Sequence, residues 1–546
     1  MHVNKPAGIQ FSFRKNDNIG SPEAESDEAN LAECFVDTGD FEILRDLNEP
    51  KRILVGRTGA GKSALIRTLI VEEDHVIPLR PEDLALNYLA NSSVLRFFEE
   101  AGTHLDVFYQ LLWKHVLAVE LIRYKYKITN ESSQRTFFER LANVFSRDKS
   151  KEKAVDYLRE WGSNFWNETE SRVKEVTTKI ENDLRASVSG TTAGIKLEAG
   201  GSEKLSAEEK REVVQRGSRA VSQVQLAALS NVLKLLEEEI FSDSQEGYYI
   251  VIDDLDTRWV DDDLKFKLIR ALIESVKAFR QVRRVKVIVA IRLDLLQRVI
   301  SATRDSGFQS EKYEPLYLRL NWTTKQLIEL VSKRLSRLVR QRYTSRPVTL
   351  ADIFPAKIQK SAFNDFLTER TSLRPRDAIL FLNECLSKAV DRSQVTVQMI
   401  LDAEAAYSEK RVDSLEEEWT GVYPLVDKYL KILSRRPSSF PVSELSHTFL
   451  EDWATSSLDF DSASIDVVQR AAKHHFLDGK GTTLEFALVL LDALYTIGVI
   501  GIKTDSTTAV SWSFYSDHRP AAGAIRPSSI VQVHPTFWRA LGVRHI

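Results

Sequence analysis

Short apolar runs alternate with stretches in which apolar residues recur at helical spacing, and this pattern predicts a mixed α/β protein. Four runs are typical of buried strands, at residues 52–55, 75–79, 248–252 and 285–291. The second run contains Pro78, which favours an edge strand because proline lacks a backbone N–H. A fifth strand is predicted at 315–320, and a helix directly follows the first run from residue 62 to residue 71.

Helical patterns dominate two longer regions, residues 92–240 and 324–406. The segment Ser187–Leu197 interrupts the first region with β-branched residues and glycines, which predicts a hairpin or a mobile loop. The C-terminal region predicts three helices followed by strands at 499–502, 510–515 and 530–533, a winged-helix-like arrangement. Its third helix, 484–497, is almost wholly apolar, so we expect it to pack against protein rather than enter a DNA groove.

These patterns divide the chain into five parts. The predicted parts are an acidic N-terminal arm (1–50), an α/β core (51–91 and 248–345), a helical insertion (92–247), a helical lid (346–415) and a winged-helix-like C-terminal domain (416–546).

Composition excludes several classes of protein. The 546 residues are 43% hydrophobic and 28% charged with a net charge of −3, as expected for a globular protein without a general affinity for polyanions. Two cysteines, Cys34 and Cys385, exclude a disulfide framework and a four-cysteine zinc module. The N-terminus lacks the apolar core of a signal peptide, and the longest apolar stretch, 486–502, contains Asp492. We therefore expect a cytoplasmic protein that makes no contact with a membrane.

Charge is distributed unevenly along the chain. Residues 1–50 contain 11 acidic and 4 basic residues, whereas residues 261–346 contain 20 basic and 9 acidic residues. Blocks of opposite sign are most simply faces that meet, within one protomer or between neighbours. The alternative is that the basic block is a sequence-tolerant track for nucleic acid.

The first strand runs into a glycine-rich segment that fits G-x-x-x-x-G-K-[ST]. Glycines in this pattern let backbone N–H groups surround phosphate oxygens, and the following helix directs its positive end at them. Lys62 is expected to neutralise the β- and γ-phosphates, and the Ser63 hydroxyl to ligate Mg²⁺. The residues predicted to bind ATP are Gly56, Arg57, Thr58, Gly59, Ala60, Gly61, Lys62, Ser63 and Ala64.

A phosphate-binding loop of this kind needs an acid on a neighbouring strand to help hold the metal ion. The run 248–252 is followed by Asp253, Asp254 and, two residues later, Asp256. Asp253 is predicted to hold Mg²⁺ and Asp254 to polarise the attacking water. Taken alone, these acids would be equally compatible with a solvated turn at a strand end.

The two motifs together resemble the P-loop ATPases that place an extra strand between the P-loop strand and the acidic strand, and most closely the KAP, STAND and AAA+-like ATPases of bacteria. The resemblance implies that Arg292, at the end of the run 285–291, is a polar sensor of the γ-phosphate. It also implies that Arg376 of the Pro375-Arg376 pair reaches the γ-phosphate from a lid. The alternatives are a solvated strand end for Arg292 and a helix surface for Arg376. Asp254 departs from the usual glutamate of AAA+ proteins.

These features predict an ATP- and Mg²⁺-dependent conformational switch or sensor that forms a homo-oligomer. The resemblance implies that an arginine acts in trans, with Arg280, Arg283, Arg284 and Arg304 as candidates, and that the protein works in a bacterial phage-defence or mobile-element system. Any effector is expected to be a separate polypeptide. Two alternatives remain open, a DNA-directed motor or loader and a nucleotide-binding scaffold with little turnover.

Overall fold

The computed structural model of the chain describes residues 11–84, 89, 91–145, 154–159, 169–198, 205–222, 225–257, 259–303, 310–343, 348–458, 466–514 and 520–545. The chain forms two compact units, one spanning residues 37–320 and the other residues 321–546 together with the N-terminal residues up to 36. This division is coarser than the five parts expected from the sequence, whose boundaries stay predictions.

A parallel sheet forms the centre of the unit 37–320. Its described strands are β1 (Ile53–Gly56), β2 (Val76–Leu79), β3 (Tyr248–Ile252), β4 (Val285–Arg292) and β5 (Tyr317–Arg319), in the order β2-β3-β4-β1-β5. Every pairing between neighbours is parallel. β4 therefore lies between the P-loop strand β1 and the acidic strand β3, which is the order implied by the resemblance. Pro78 lies on the edge strand β2, as predicted.

Helices connect and cover these strands. The helices described in this unit are Asp40–Arg45, Lys62–Glu72, Ser93–Glu100, Asp106–Tyr126, Glu131–Phe145, Thr169–Val188, Thr192–Glu198, Ala207–Ser222, Gln225–Leu235, Asp262–Ala278 and Leu293–Ala302. The helical character predicted between β2 and β3 is confirmed in the described residues. The long helix Asp106–Tyr126 packs on Asp262–Ala278, where the Trp113 indole N–H donates a 2.9 Å hydrogen bond to the Leu268 carbonyl.

The hairpin or mobile loop predicted at Ser187–Leu197 is wrong. A short turn there joins two helices, because Gly190 adopts a φ of +76° that reverses the chain direction at little cost. Thr191 then caps the second helix, since its hydroxyl accepts a 3.2 Å hydrogen bond from the Gly194 N–H. The β-branched residue that suggested a strand is thus a helix cap.

The second unit is mainly helical from residue 321 to residue 419. Its first part contains the helices Thr324–Arg342, Leu350–Ile353, Phe363–Arg370, Pro375–Lys388 and Val397–Trp419, with a small hairpin of β6 (Lys357–Ile358) and β7 (Ser361–Ala362). Residues 11–36, which include helix Glu28–Cys34, pack into the same core. Phe13 and Ile19 are fully buried there against the helix Thr324–Arg342 and its neighbours.

Acidic residues of this N-terminal segment form ion pairs with the helix Thr324–Arg342. The carboxylate of Asp27 lies 2.5 Å from the Arg334 guanidinium, and both residues are buried. Glu33 pairs with Arg337 at 2.8 Å, and Asp17 pairs with Arg342. This part of the acidic arm therefore meets part of the basic block within one protomer, one of the two arrangements that the charge distribution indicated.

The C-terminal residues form an antiparallel sheet surrounded by helices. The strands β8 (Ser439–Pro441), β9 (Ile500–Lys503) and β10 (Ile530–Val533) lie in the order β8-β10-β9. The accompanying helices are Val426–Lys431, His447–Ser457, Val467–Ala472, Thr483–Thr496 and Trp538–Leu541. The strand predicted at 510–515 is wrong in its described part, because the chain turns at residues 513–514 and only Ser511 pairs, with Ile502.

The apolar stretch 486–502 is a buried helix that runs into β9. Thr482 caps the helix Thr483–Thr496, and the side chains of Phe486, Leu490 and Leu494 are buried in the surrounding core. The sequence correctly predicted that this helix packs against protein. Among the described helices, none is long and apolar enough to span a bilayer.

Candidate nucleotide-binding site

The glycine-rich segment forms a turn between β1 and the helix Lys62–Glu72. Gly59 and Gly61 have φ angles of +77° and +101°, a left-handed conformation that side chains disfavour. A side chain at Gly56 would be crowded, because a Cβ there would lie 3.1 Å from the Ala60 Cβ. Arg57, Thr58 and Ala64 are partly exposed around the turn. The backbone thus has the loop conformation that the spacing of the glycines predicted.

Lys62 folds back over this turn. Its ammonium group donates hydrogen bonds to the carbonyls of Gly56, at 3.1 Å, and Arg57, at 3.2 Å. The side chain is buried, and this burial lowers the pKa of Lys62, while the carboxylate of Asp253 acts in the opposite direction. A phosphate oxygen at the turn would therefore meet a buried cation whose current partners are uncharged carbonyls.

The P-loop helix and the acidic strand meet at the next residue. The Ser63 hydroxyl donates a 3.1 Å hydrogen bond to Asp253 Oδ2, although 190 positions separate the two residues. Burial raises the pKa of Asp253, and the hydrogen bond from the Asp254 N–H and the charge of Lys62 oppose this shift. The structure therefore brings together the hydroxyl and the carboxylate that the sequence assigned to the metal ion.

The oxygen atoms of Ser63 and Asp253 fit a magnesium ion. Mg²⁺ prefers hard oxygen ligands and is held in nucleotide sites by one or two protein groups together with phosphates. A hydroxyl facing a partly buried carboxylate is such a set, and a cation would offset the cost of burying the Asp253 charge.

Asp254 is exposed to solvent just after the end of β3. Its φ of +58° is unusual for a residue with a side chain, and aspartate tolerates it better than most. The Asp254 N–H donates to Asp253 Oδ1 at 2.9 Å, and the Asp254 carbonyl accepts a hydrogen bond from the Thr257 hydroxyl. The turn therefore places the exposed Asp254 directly after the partly buried Asp253, and the separate roles predicted for the two acids stay predictions.

Arg292 lies at the same edge of the sheet. As the last residue of β4, it is paired in register with Gly56, the first glycine of the turn. Its guanidinium contacts two carboxylates, those of Asp256 and Asp294. The sensor role that the resemblance implied for Arg292 stays a prediction, and its two acidic partners were not expected from the sequence.

The other predicted arginines belong to other segments of the chain. Arg376 belongs to the second compact unit, at the start of the helix Pro375–Lys388, where proline occupies the first turn as predicted. Its neighbour Arg374 is buried against Asp377, whereas Arg376 is partly exposed and its buried Nε has no hydrogen-bond partner among the described residues. The lid role of Arg376 stays a prediction.

Three candidates for an arginine acting in trans lie near the amino end of β4, opposite the P-loop edge. Arg283 pairs with Glu237 at 3.2 Å, and Arg284 donates to the Glu246 carbonyl at 2.7 Å. Arg280 lies in the preceding turn. The fourth candidate, Arg304, lies outside the described residues, so the choice among the four stays open.

Sequence reasoning missed Asp294 as a member of the site. It contacts Arg292 from the first turn of the helix Leu293–Ala302 and is buried. The available signal was the spacing Arg-x-Asp at a strand–helix junction, which places an acid within reach of the arginine at the end of the strand. Asp256 was noted in the acidic turn, but its contact with Arg292 was not foreseen.

Residues 325–416 match a family described as a FunZ-associated C-terminal helical domain. The chain is 22% identical over 558 residues to the "Putative transposon gamma-delta 80.3 kDa protein" of Escherichia coli K12, covering 97% of this chain and 67% of that protein. A structural comparison matches the Walker-type ATPase paby2304 of Pyrococcus abyssi with a TM-score of 0.33 and 13% identity, covering 91% of this chain and 96% of that one.

Proposed function

We propose that this chain is a P-loop ATPase that binds ATP with Mg²⁺, hydrolyses it and uses the cycle as a conformational switch. The contact between Ser63 and Asp253 carries the proposal, because it joins the glycine-rich turn to the acidic strand at the place where a metal–phosphate group would bind. The order of the parallel strands supports the assignment to the class with an extra central strand, which includes the KAP, STAND and AAA+-like ATPases.

Different residues of the site have different roles in ATP hydrolysis. The backbone of the turn and the ammonium of Lys62 bind the β- and γ-phosphates, and Ser63 with Asp253 hold Mg²⁺, which neutralises phosphate charge when bound. Asp254 faces solvent at the same strand end, where it orients the attacking water and accepts its proton. Phosphoryl transfer of this kind depends on positioning and charge rather than on covalent chemistry by the protein.

Asp254→Asn tests the proposal, and we expect it to leave ATP binding nearly unchanged while slowing hydrolysis by about 10²- to 10⁴-fold. Asparagine has the same size and also tolerates a φ of +58°, so the turn should persist. The Asp253 carboxylate is retained, so the site predicted to hold Mg²⁺ should remain. Steady-state phosphate release and calorimetric titration of ATP·Mg²⁺ measure the two effects separately.

Asp263→Asn is the matched control for this experiment. Asp263 is an exposed acid in the first turn of the helix Asp262–Ala278, and its substitution should leave turnover unchanged. If Asp254→Asn turns over normally while Asp256→Asn is inactive, the base lies two positions further along the loop. If the wild-type chain binds ATP without turnover, the protein is a nucleotide-binding scaffold.

We also propose that the active form is a homo-oligomer in which an arginine of a neighbouring protomer completes the site. ATPases of this class commonly supply such an arginine to stabilise charge that develops in the transition state. ATPase activity per protomer should therefore rise with protein concentration, in parallel with the mass measured with and without ATP·Mg²⁺. A constant specific activity from a protein that stays monomeric would contradict this proposal.

The charge contacts favour a switch over a DNA-directed motor. On the helix Thr324–Arg342, the side chains of Arg334, Arg337 and Arg342 are engaged by acids of the N-terminal segment. A phosphate backbone would have to displace these acids, one of them in a buried pair. Stimulation of turnover by DNA or RNA that declines steeply with salt would favour the motor instead.

The C-terminal residues are proposed to form a winged-helix-like domain that contacts protein. The buried helix Thr483–Thr496 supports packing over DNA recognition. We place the chain in a bacterial mobile-element or defence system, acting on a separate effector polypeptide; its similarity to a protein named as a transposon product supports the first of these settings.

A further inference from the structure

Arg292 is held by two carboxylates that differ in how firmly they bind it. Asp294 forms a two-pronged contact, in which Oδ1 accepts from Nε and Oδ2 accepts from Nη2, both at 3.0 Å. Asp256 accepts a single hydrogen bond from Nη1, also at 3.0 Å. One edge of the guanidinium is therefore fixed by Asp294, while the outer nitrogen Nη1 is engaged by Asp256.

The two acids also differ in exposure and in backbone support. The side chain of Asp294 is 7% exposed and follows Arg292 by two residues on a helix, so its geometry is fixed by the local backbone. The side chain of Asp256 is 40% exposed and belongs to a turn after β3. A bidentate buried pair holds its geometry well, whereas a half-exposed single contact is weak and easily exchanged.

Arg292 lies where a terminal phosphate would compete for it. It is in register with Gly56 at the start of the phosphate-binding turn. Phosphate and carboxylate oxygens bind guanidinium groups in the same geometry. Because both are anionic, Asp256 and a γ-phosphate repel each other if they approach the same nitrogen together.

We propose that Asp256 is an exchangeable carboxylate that occupies Nη1 of Arg292 until a γ-phosphate displaces it, and that Asp294 is the positioning residue that keeps the guanidinium in place. This inference rests on the proposed nucleotide-binding function. Asp256 would then help the site to distinguish ATP from ADP, since ADP has no γ-phosphate to displace the carboxylate. The pair Asp256–Arg292 would then distinguish the ATP-bound from the ADP-bound state.

Asp256→Asn should raise the affinity for an ATP analogue while changing ADP affinity little. The substitution removes the anion that competes with the γ-phosphate, and an ion pair of this exposure is worth less than a tenfold change in affinity. We therefore expect the ratio of the ADP Kd to the analogue Kd to increase about 2- to 5-fold. Asp294→Asn should decrease the same ratio, because the guanidinium loses its bidentate support.

The experiment titrates the full-length protein with Mg²⁺ and either β,γ-imido-ATP or ADP, by calorimetry. Asp256→Asn is also combined with Arg292→Gln, since a carboxylate that acts through Arg292 has no effect on the ratio once the guanidinium is gone. Asp256 is half-exposed, so this variant should fold normally and can refute the proposal even if Asp294→Asn proves unstable.

Lys62→Ala is the control that distinguishes a failure of the proposed exchange at Asp256 from a failure of the proposed nucleotide-binding function. If Lys62→Ala abolishes nucleotide binding while Asp256→Asn leaves the ratio unchanged or lowers it, the exchange is refuted and the nucleotide-binding function stands. A change in ratio that persists in the Arg292→Gln background also refutes it, because Asp256 would then act by another route. If Lys62→Ala binds both nucleotides like the wild type, the proposed function fails and this inference fails with it.

Discussion

Lys62→Ala should lose about 100-fold or more in affinity for ATP·Mg²⁺, as expected when a buried, hydrogen-bonded charge partner is removed. The ammonium is buried over the turn and its hydrogen bonds go to the carbonyls of Gly56 and Arg57, so it is positioned to exchange these neutral partners for phosphate oxygens. Calorimetric titration of the purified full-length chain measures the loss directly.

Lys51→Ala is the matched control, since Lys51 precedes the same strand at its opposite end and is partly exposed. It should bind ATP like the wild type. Circular dichroism must show that Lys62→Ala remains folded, because the substitution leaves two carbonyls of the turn without their donor. A folded Lys62→Ala that binds ATP normally would contradict the assignment of the turn as a phosphate-binding loop.

The sequence predicted those features of the site that depend on the spacing of residues in a short motif and on the order of the strands. The positions of Gly59, Gly61 and Lys62 follow from a short motif whose conformation depends on glycine. The contact between Ser63 and Asp253 spans 190 residues, yet it was predictable because the carboxyl ends of parallel strands meet at one edge of a sheet.

The contacts that the sequence did not predict depend on side-chain geometry. Net charge indicated that the acidic arm and the basic block meet, but only the structure pairs Asp27 with Arg334. Lys286 interrupts an otherwise apolar strand, and a sequence pattern cannot show that its ammonium is buried against the carbonyls of Ile43 and Asp46. This burial lowers the pKa of Lys286 to about 7. Polar partners of this kind are set by the three-dimensional path of distant segments.

A second large effect is expected in the other compact unit, where Asp377→Asn should strongly destabilise the helical part. The Asp377 side chain is 1% exposed and accepts hydrogen bonds from Arg374 Nε at 2.6 Å and Arg411 Nη1 at 2.8 Å. Asparagine keeps the shape but removes the charge and turns an N–H₂ group towards one guanidinium. Breaking a buried ion pair in this way costs about 3–5 kcal/mol.

Thermal unfolding of the full-length protein should therefore show a lower midpoint for the transition that includes this unit, by roughly 10 °C. Hydrogen exchange localises the loss, since amides of the helices Pro375–Lys388 and Val397–Trp419 should lose protection while those of β1 and β3 keep theirs. Asp402→Asn is the control, because Asp402 is an exposed acid on the second of these helices and should leave the midpoint within about 2 °C.

Joint replacement of Asp377, Arg374 and Arg411 by apolar residues of similar size should recover much of the lost stability, since the penalty arises from uncompensated charge rather than from a missing contact. An Asp377→Asn protein with a wild-type midpoint and unchanged protection would show that the two arginines do not depend on this carboxylate.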